Sequence, residues 1–286
     1  MADQHPAFTR DGVAVITGGA SGIGRAAAER FAGLGLKVAL ADINEVLLEE
    51  ARAAVAAAAG SADRVTAVVT DVSNRAAVEA LKDAVEARLG PVTVLMPNAG
   101  REGGGALFAD PARWQATIDT NLFGVVNMVQ VFVPGMIERG AAGAVIVTGS
   151  KQGITTPPGD TAYNVSKAGV KVVTEALAHE LRNRPDCPVT AHLLIPGFTF
   201  TGFTRVHTQV KPAGAWMPEQ VVDFMLDAMA AGDFYILCPD NDVARPLDEK
   251  RIRWAADDIV LNRPPLSRWH PDYAEAFAAY LKDGQK

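Results

Sequence analysis

Near its start the chain reads Val13-Ala14-Val15-Ile16-Thr17-Gly18-Gly19-Ala20-Ser21-Gly22-Ile23-Gly24, a short β-branched run feeding a glycine-rich turn that opens a helix. Glycines stand where the backbone must turn sharply, approach a pyrophosphate, and let helix and strand pack closely. A tight strand-to-helix turn needs glycine for its own geometry, so the surroundings carry the reading. The next strand ends Leu40-Ala41-Asp42, 18 residues beyond Gly24, where an acid that binds a ribose belongs. Gly18, Ser21, Gly22, Ile23, Gly24 and Asp42 are therefore candidate dinucleotide contacts. A carboxylate at Asp42 accepts from a ribose diol and repels a 2′-phosphate, which selects NAD over NADP, and neither Ser21 nor Ile43 supplies an offsetting cation. The competing role for Asp42 is to N-cap the helix beginning near Asn44.

Outward from this stretch, apolar runs alternate with segments of helical period, the pattern of βαβ units. Strands are expected at Val13–Thr17, Lys37–Ala41, Val65–Val69, Val92–Met96, Ala144–Thr148, Val189–Ile195 and Phe234–Cys238. Helices are expected at Ile23–Leu34, Glu45–Ala59, Arg75–Leu89, Trp114–Glu138, Ala162–Arg182 and Pro218–Ala231, with Gly33, Gly60, Gly90 and Gly140 closing four of them. The fold class is α/β, a Rossmann-type doubly wound seven-stranded parallel sheet with helices on both faces. Residues 1–238 form the Rossmann domain, and 239–286 form a C-terminal extension with helix-like pieces near Pro246–Asn262 and Pro271–Lys282, packed on the same domain or on a neighbouring subunit.

The chain has 286 residues, 49% of them hydrophobic, enough for a sizeable core. With 27 Lys plus Arg against 33 Asp plus Glu, the net charge of −6 disfavours nucleic acid. Cys187 and Cys238 make no disulfide framework or metal spacing, and the N-terminus lacks the pattern of an export signal. No run of 18 apolar residues suggests a membrane span. A cytoplasmic setting without a metal is expected.

Tyr163 and Lys167 open the helix after the fifth strand as an i,i+4 pair on one face. An ammonium one turn from a phenol, with the positive end of the helix dipole, should lower the tyrosine pKa and make Tyr163 a general base. Taken alone such a pair is commonly a solvated surface contact. Here it combines with Ser150, thirteen positions earlier at the C-terminal edge of the fifth strand, where α/β sheets bind ligands.

With these residues the chain resembles the single-domain short-chain dehydrogenases/reductases. The matching elements are Thr17 to Gly24, Asp71-Val72, Asn98-Ala99-Gly100, Asn121, Ser150, Tyr163-x-x-x-Lys167 and Pro196-Gly197. The resemblance covers Val13 to Cys238. It implies that Tyr163 exchanges the substrate hydroxyl proton, that Ser150 polarises the substrate oxygen, and that Lys167 tunes the phenol and holds the nicotinamide ribose. Asn121 would support a water linking Lys167 to solvent, or simply be a buried amide in an irregular helix turn. Asp71 and Val72 would contact adenine, Asn98 and Gly100 would line the adenosine side, and Pro196, Gly197, Thr199 and Thr201 would meet the carboxamide. Pro97 replaces the usual Asn and removes a backbone donor, which is expected to disturb the adenosine wall.

Phe198 to Met217 is long and interrupted, and reads as a lid. Its Phe198, Phe200, Phe203, His207 and Trp216 suggest a bulky apolar or aromatic substrate, or else anchor the loop. His207 is read as structural, and Arg101 and Glu102 as solvated charges near the pocket. The resemblance also implies a homodimer or homotetramer through the helices at Trp114–Glu138 and Ala162–Arg182. The expected function is NAD-dependent interconversion of a secondary alcohol and a ketone, with oxidation favoured by a mostly oxidised cytoplasmic NAD pool. Two alternatives stay open. An NADPH-dependent carbonyl or oxoacyl reductase is opposed by Asp42. A non-catalytic dinucleotide sensor or scaffold is opposed by the intact Ser150, Tyr163 and Lys167.

Overall fold

The computed structural model describes residues 4–202 and 210–282. Seven strands form one parallel sheet in the order β3-β2-β1-β4-β5-β6-β7. They are β1 (Val13–Thr17), β2 (Lys37–Asp42), β3 (Val65–Val69), β4 (Val92–Met96), β5 (Gly143–Thr148), β6 (Val189–Ile195) and β7 (Tyr235–Leu237). The connecting helices are α1 (Gly22–Gly33), α2 (Glu45–Ala59), α3 (Arg75–Leu89), α4 (Pro111–Ile118), α5 (Gly124–Glu138), α6 (Gln152–Thr155) and α7 (Thr161–Arg182), followed by Pro218–Ala230.

The strands are apolar almost throughout because both faces are covered. On one face Ile16, Met96 and Ile146 pack with Phe31, Leu48, Val221 and Met225. On the other, Val15, Leu95 and Val147 pack with Leu81, Met128, Phe132 and Leu177. The edge strands are the exceptions: Val69, the last residue of β3, is 53% exposed, and Tyr235, the first of β7, is 47% exposed.

The strand order reverses direction between β1 and β4, so the turns that follow these two strands diverge and leave a crevice at their C-terminal ends. Gly18, Asp42, Asn98, Ser150 and Gly197 all lie on that edge.

Several boundaries differ from the sequence reading for local reasons. Helix α1 closes on Gly35, whose φ is +93°, and Gly33 remains inside the helix. The expected helix at Trp114 begins at Pro111, capped by Asp110, whose carboxylate accepts from Ala112 N at 2.9 Å. It runs to Glu138 through a π turn at Asp119–Phe123. By length and composition this 28-residue stretch could cross a membrane, yet Val125, Met128, Phe132, Val133 and Met136 pack into the core.

In the extension, helix Arg245–Val260 is followed by short 3-10 turns and helix Ala274–Lys282. Trp254, 5% exposed, organises it: its indole N–H donates to Ser267 Oγ at 2.8 Å, and the Arg263 guanidinium stacks 4.0 Å from its ring. The Phe277 and Tyr280 rings close over it at 5.1 and 5.2 Å. The extension thus has its own small core.

Candidate active site

At the β1–α1 turn, Gly18 and Gly22 adopt φ of +63° and +53°, a region that L side chains rarely adopt. A Cβ on Gly24 would stand 2.2 Å from Gly18 O, so close approach of helix to loop demands glycine there. Ser21 caps the helix in extended conformation without a side-chain bond to it, and Ile23 is half-buried beside it. Asp42 at the end of β2 accepts from Ala20 N (3.1 Å) with one oxygen and from Asn44 N (3.0 Å) with the other. The cap of α2 is Asn44, which accepts from Leu47 N at 3.1 Å, so the capping role considered for Asp42 belongs to its neighbour.

A chamber of about 980 Å³ extends from Gly18 and Asp42 past Asp71, Val72 and Gly100 to Tyr163. Asp71 is fixed by accepting from Ser73 N and Oγ at 2.9 and 2.7 Å, and Val72 packs on Gly124, where a Cβ would fall 2.6 Å away. The β4 turn is intact despite Pro97, because the Thr17 hydroxyl accepts from Asn98 N and Ala99 N at 2.9 and 3.0 Å. Asn98 donates through its amide to Thr17 O and accepts from Thr148 Oγ1, and it lines the chamber that holds Ser21 and Asp42 as well as Ser150. Gly100 borders both chambers, within reach of Asn121 and Lys167.

The second chamber, about 670 Å³, brings together Ser150, Tyr163, Lys167, Pro196, Gly197, Thr199 and Thr201. Gly18, Asp42, Gly100, Glu102 and Tyr163 line both volumes, which makes them two parts of one cleft. Asn121 sits fully buried in the π turn. It accepts from Arg101 N (2.8 Å) and donates to Arg101 O (2.9 Å) and Ser166 Oγ (3.0 Å), clamping the loop after β4 to α7. Such turns recur at functional sites because the extra residue redirects a side chain.

Tyr163 and Lys167 are 8% and 4% exposed. The Tyr163 hydroxyl shares a hydrogen bond with Ser150, and the Lys167 ammonium donates to Thr148 O at 2.8 Å while standing 5.7 Å from the phenol ring centroid. The electrostatics correct one expectation. Burial pushes the phenol pKa up, the Glu102 carboxylate adds to this, the Ser150 hydrogen bond opposes it, and Asp160 adds a further rise. Burial also lowers Lys167 to about 8, with Glu102 opposing. The lysine stands one turn away, but burial and two carboxylates set the direction of the shift.

Sequence reasoning overlooked Asp160. Its carboxylate accepts from Tyr163 N (3.1 Å), Gly103 N (2.8 Å) and Gly105 N (2.9 Å), tying the Gly103-Gly104-Gly105 stretch after β4 to the start of α7. An acid three residues before Tyr163 is a readable N-cap signal. Gln152 and Lys151 also line the second chamber and were missed, with no local pattern to mark them. In the expected lid, Phe198 borders the chamber, whereas Phe200 is buried and Trp216 packs edge-on against Phe224 at 6.0 Å. Phe200 N donates to Trp216 O and Trp216 N to Phe198 O, both at 2.8 Å, so these two aromatics anchor the segment. Phe203 and His207 lie outside the described residues.

The sequence profile of short chain dehydrogenases matches residues 12–211. A 1-deoxy-11-beta-hydroxypentalenate dehydrogenase of Streptomyces exfoliatus is 33% identical over 262 residues, covering 89% of this chain and 91% of that one. A 3-oxoacyl-(acyl-carrier-protein) reductase of Thermotoga maritima is 35% identical over 194 residues, covering 68% and 76%. The crystal structure of a short chain dehydrogenase/reductase from Burkholderia phymatum in complex with NAD superposes with a TM-score of 0.81 at 34% identity, covering 91% of this chain and 97% of that one. A parallel seven-stranded sheet, a glycine loop at its switch point and a serine–tyrosine–lysine cluster beside it agree with these likenesses. The chain belongs to the short-chain dehydrogenase/reductase family and is a nicotinamide-dinucleotide oxidoreductase of hydroxyl and keto groups.

Proposed function

We propose that the protein is an NAD-dependent dehydrogenase interconverting a bulky, largely apolar secondary alcohol and its ketone. The observation that carries this reading is the convergence of Ser150, Tyr163 and Lys167 in one cleft with the glycine loop and Asp42. The loop fits a pyrophosphate, since Ser21, Gly22 and Ile23 at the start of α1 border the cleft and Gly18 and Gly22 hold left-handed conformations. Asp42 stands at the ribose end, and Ala41, Ile43, Asn44 and Leu47, which line the cleft around it, carry no cation to receive a 2′-phosphate. Asp71 and Val72 are assigned to the adenine end, and Pro196, Gly197, Thr199 and Thr201 to the carboxamide end.

An oxidised nicotinamide held by these residues would supply the hydride acceptor for the carbinol carbon and a positive charge in the cleft. Ser150 holds the substrate oxygen by a hydrogen bond, and Tyr163 takes the hydroxyl proton as the C–H bond breaks; in reduction the phenol returns it. Lys167 keeps a cation near the phenol and donates to ribose hydroxyls. Asn121 positions the Arg101 peptide and α7 behind them.

The test is a screen of secondary alcohols, aromatic ones first, for reduced-nicotinamide absorbance with NAD and NADP in parallel. Turnover with NAD and none above background in Tyr163→Phe supports the reading. Equal rates in that variant remove the phenol as base, and a preference for NADP removes Asp42 as selector. The same reading includes self-association through the continuous helix Pro111–Glu138 and α7, supported by exposed Phe123, Val165 and Val172. A monomer by light scattering at micromolar concentration would remove that part.

A further inference from the structure

Lys151 follows Ser150 directly and lies between two carboxylates: its Nζ is 2.5 Å from Asp248 Oδ2 and 3.3 Å from Asp240 Oδ2. The aspartate side chains are 6% and 5% exposed. Asp240 accepts from Phe198 N (3.1 Å) through the same Oδ2, and its Oδ1 holds Asp242 N and Val243 N at 3.2 and 2.8 Å. The ion pair is pressed against the Gly197 backbone, since a Cβ there would come 2.5 Å from Asp240 Oδ2 and 2.8 Å from Lys151 Nζ. On its other side Lys151 caps α6, whose Gly153 approaches Lys167 so closely that a Cβ would fall 2.5 Å from its carbonyl carbon. One network therefore touches the turn after Ser150, the Gly197–Phe198 peptide and, through α6, the Lys167 backbone.

Asp248 belongs to helix Arg245–Val260, and both aspartates lie beyond the residues 12–211 that the family profile matches. Burying three charges carries a desolvation cost that apolar residues of equal volume would avoid while holding the extension in place. What the ions add is direction: both Asp240 oxygens meet defined donors, and Asp248 Oδ2 stands against the Lys151 ammonium.

We propose that Asp248 is a positioning residue of the dinucleotide site. Through Lys151 and Asp240 it fixes the Gly197–Phe198 peptide and the turn after Ser150, so that the C-terminal extension completes the nicotinamide end of the cleft. This rests on the reading of that cleft as a nicotinamide-dinucleotide site.

The test combines NADH fluorescence titration with amide hydrogen exchange on the full chain, Asp248→Asn, Lys151→Met and the double variant. Asp248→Asn keeps the shape and removes the charge. The expected result is about tenfold weaker NADH binding in Asp248→Asn, with the double variant no weaker than Lys151→Met alone. By reciprocity NADH slows exchange across residues 245–260 in the unmodified protein. That protection is lost in Asp248→Asn, while protection at the glycine loop stays. NADH binding in Asp248→Asn within about twofold of the unmodified protein overturns the proposal. So does exchange over 245–260 that ignores NADH, a measurement that needs no variant to fold. An unmodified protein that binds no NADH overturns the dinucleotide reading and the proposal with it, whereas normal binding with an indifferent Asp248→Asn overturns the proposal alone.

Discussion

The glycine loop at one end of the cleft and the Lys151 cluster at the other are built in opposite ways. The loop is a product of local chain: residues 17–24 supply the turn, the close approach and the helix start, and every demand falls on backbone. The cluster gathers side chains from the turn after β5, the segment just after β7 and helix Arg245–Val260, with Asp240 lying 89 positions from Lys151. Backbone geometry of the first kind recurs wherever a family binds one cofactor. Side-chain networks of the second kind exist only once the fold has brought distant segments together, here at the nicotinamide end of the proposed site.

This contrast can be broken most severely between the two ends, at the reacting groups. Tyr163→Phe is expected to lower turnover about a thousandfold while leaving NADH affinity within about threefold, read by steady-state rates and fluorescence titration. Retained turnover would place the proton elsewhere. At the loop end, Gly24→Val puts a side chain where even a Cβ lies 2.2 Å from Gly18 O. Overpacking of that kind costs about 1–3 kcal/mol, so calorimetry should show a lower melting temperature together with NADH binding weakened tenfold or more. Asp42→Ala acts on selectivity alone: the NAD-to-NADP ratio of kcat/KM should fall about tenfold to a hundredfold, with the fold unaltered.

The smallest expected effect lies away from both ends and serves as a control. His192 is buried, with Thr190 Oγ1 bridging its Nε2 (2.9 Å) and that of His5 (3.2 Å). Burial, with the neighbouring His192, lowers His5 to about 4 from 6.5, and burial lowers His192 as well. Between those values the unfolded chain binds more protons than the folded one. The stabilisation is therefore complete above about pH 6.5 and is lost as pH falls toward 4. Urea midpoints for His192→Gln should decline less over that window than those of the unmodified protein, with no change in cofactor preference.

How much of this was readable in advance follows the same division. The strands stood out because both faces are covered and each becomes an apolar run, and the glycine loop because its demands are local. Helix ends drifted where two glycines competed, as at Gly33 and Gly35. Asn121 was singled out only through the family resemblance, and its bonds to Arg101 and Ser166 depend on tertiary packing. The direction of the Tyr163 shift was misread because spacing reveals the lysine one turn away and conceals both the burial and the approach of Glu102. The Lys151 network left no periodicity at all, because its partners come from distant segments.

The raised phenol gives the most direct measurement. Near-ultraviolet absorbance of tyrosinate should be titrated with and without saturating NAD, with Tyr163→Phe subtracted to isolate one ring. Without NAD the ring should ionise above the ordinary tyrosine value of about 10. With NAD it should ionise at clearly lower pH, as a bound cation joins Lys167 against burial and Glu102. A ring that titrates identically in both conditions would contradict the assignment of Tyr163 as the proton-exchanging group.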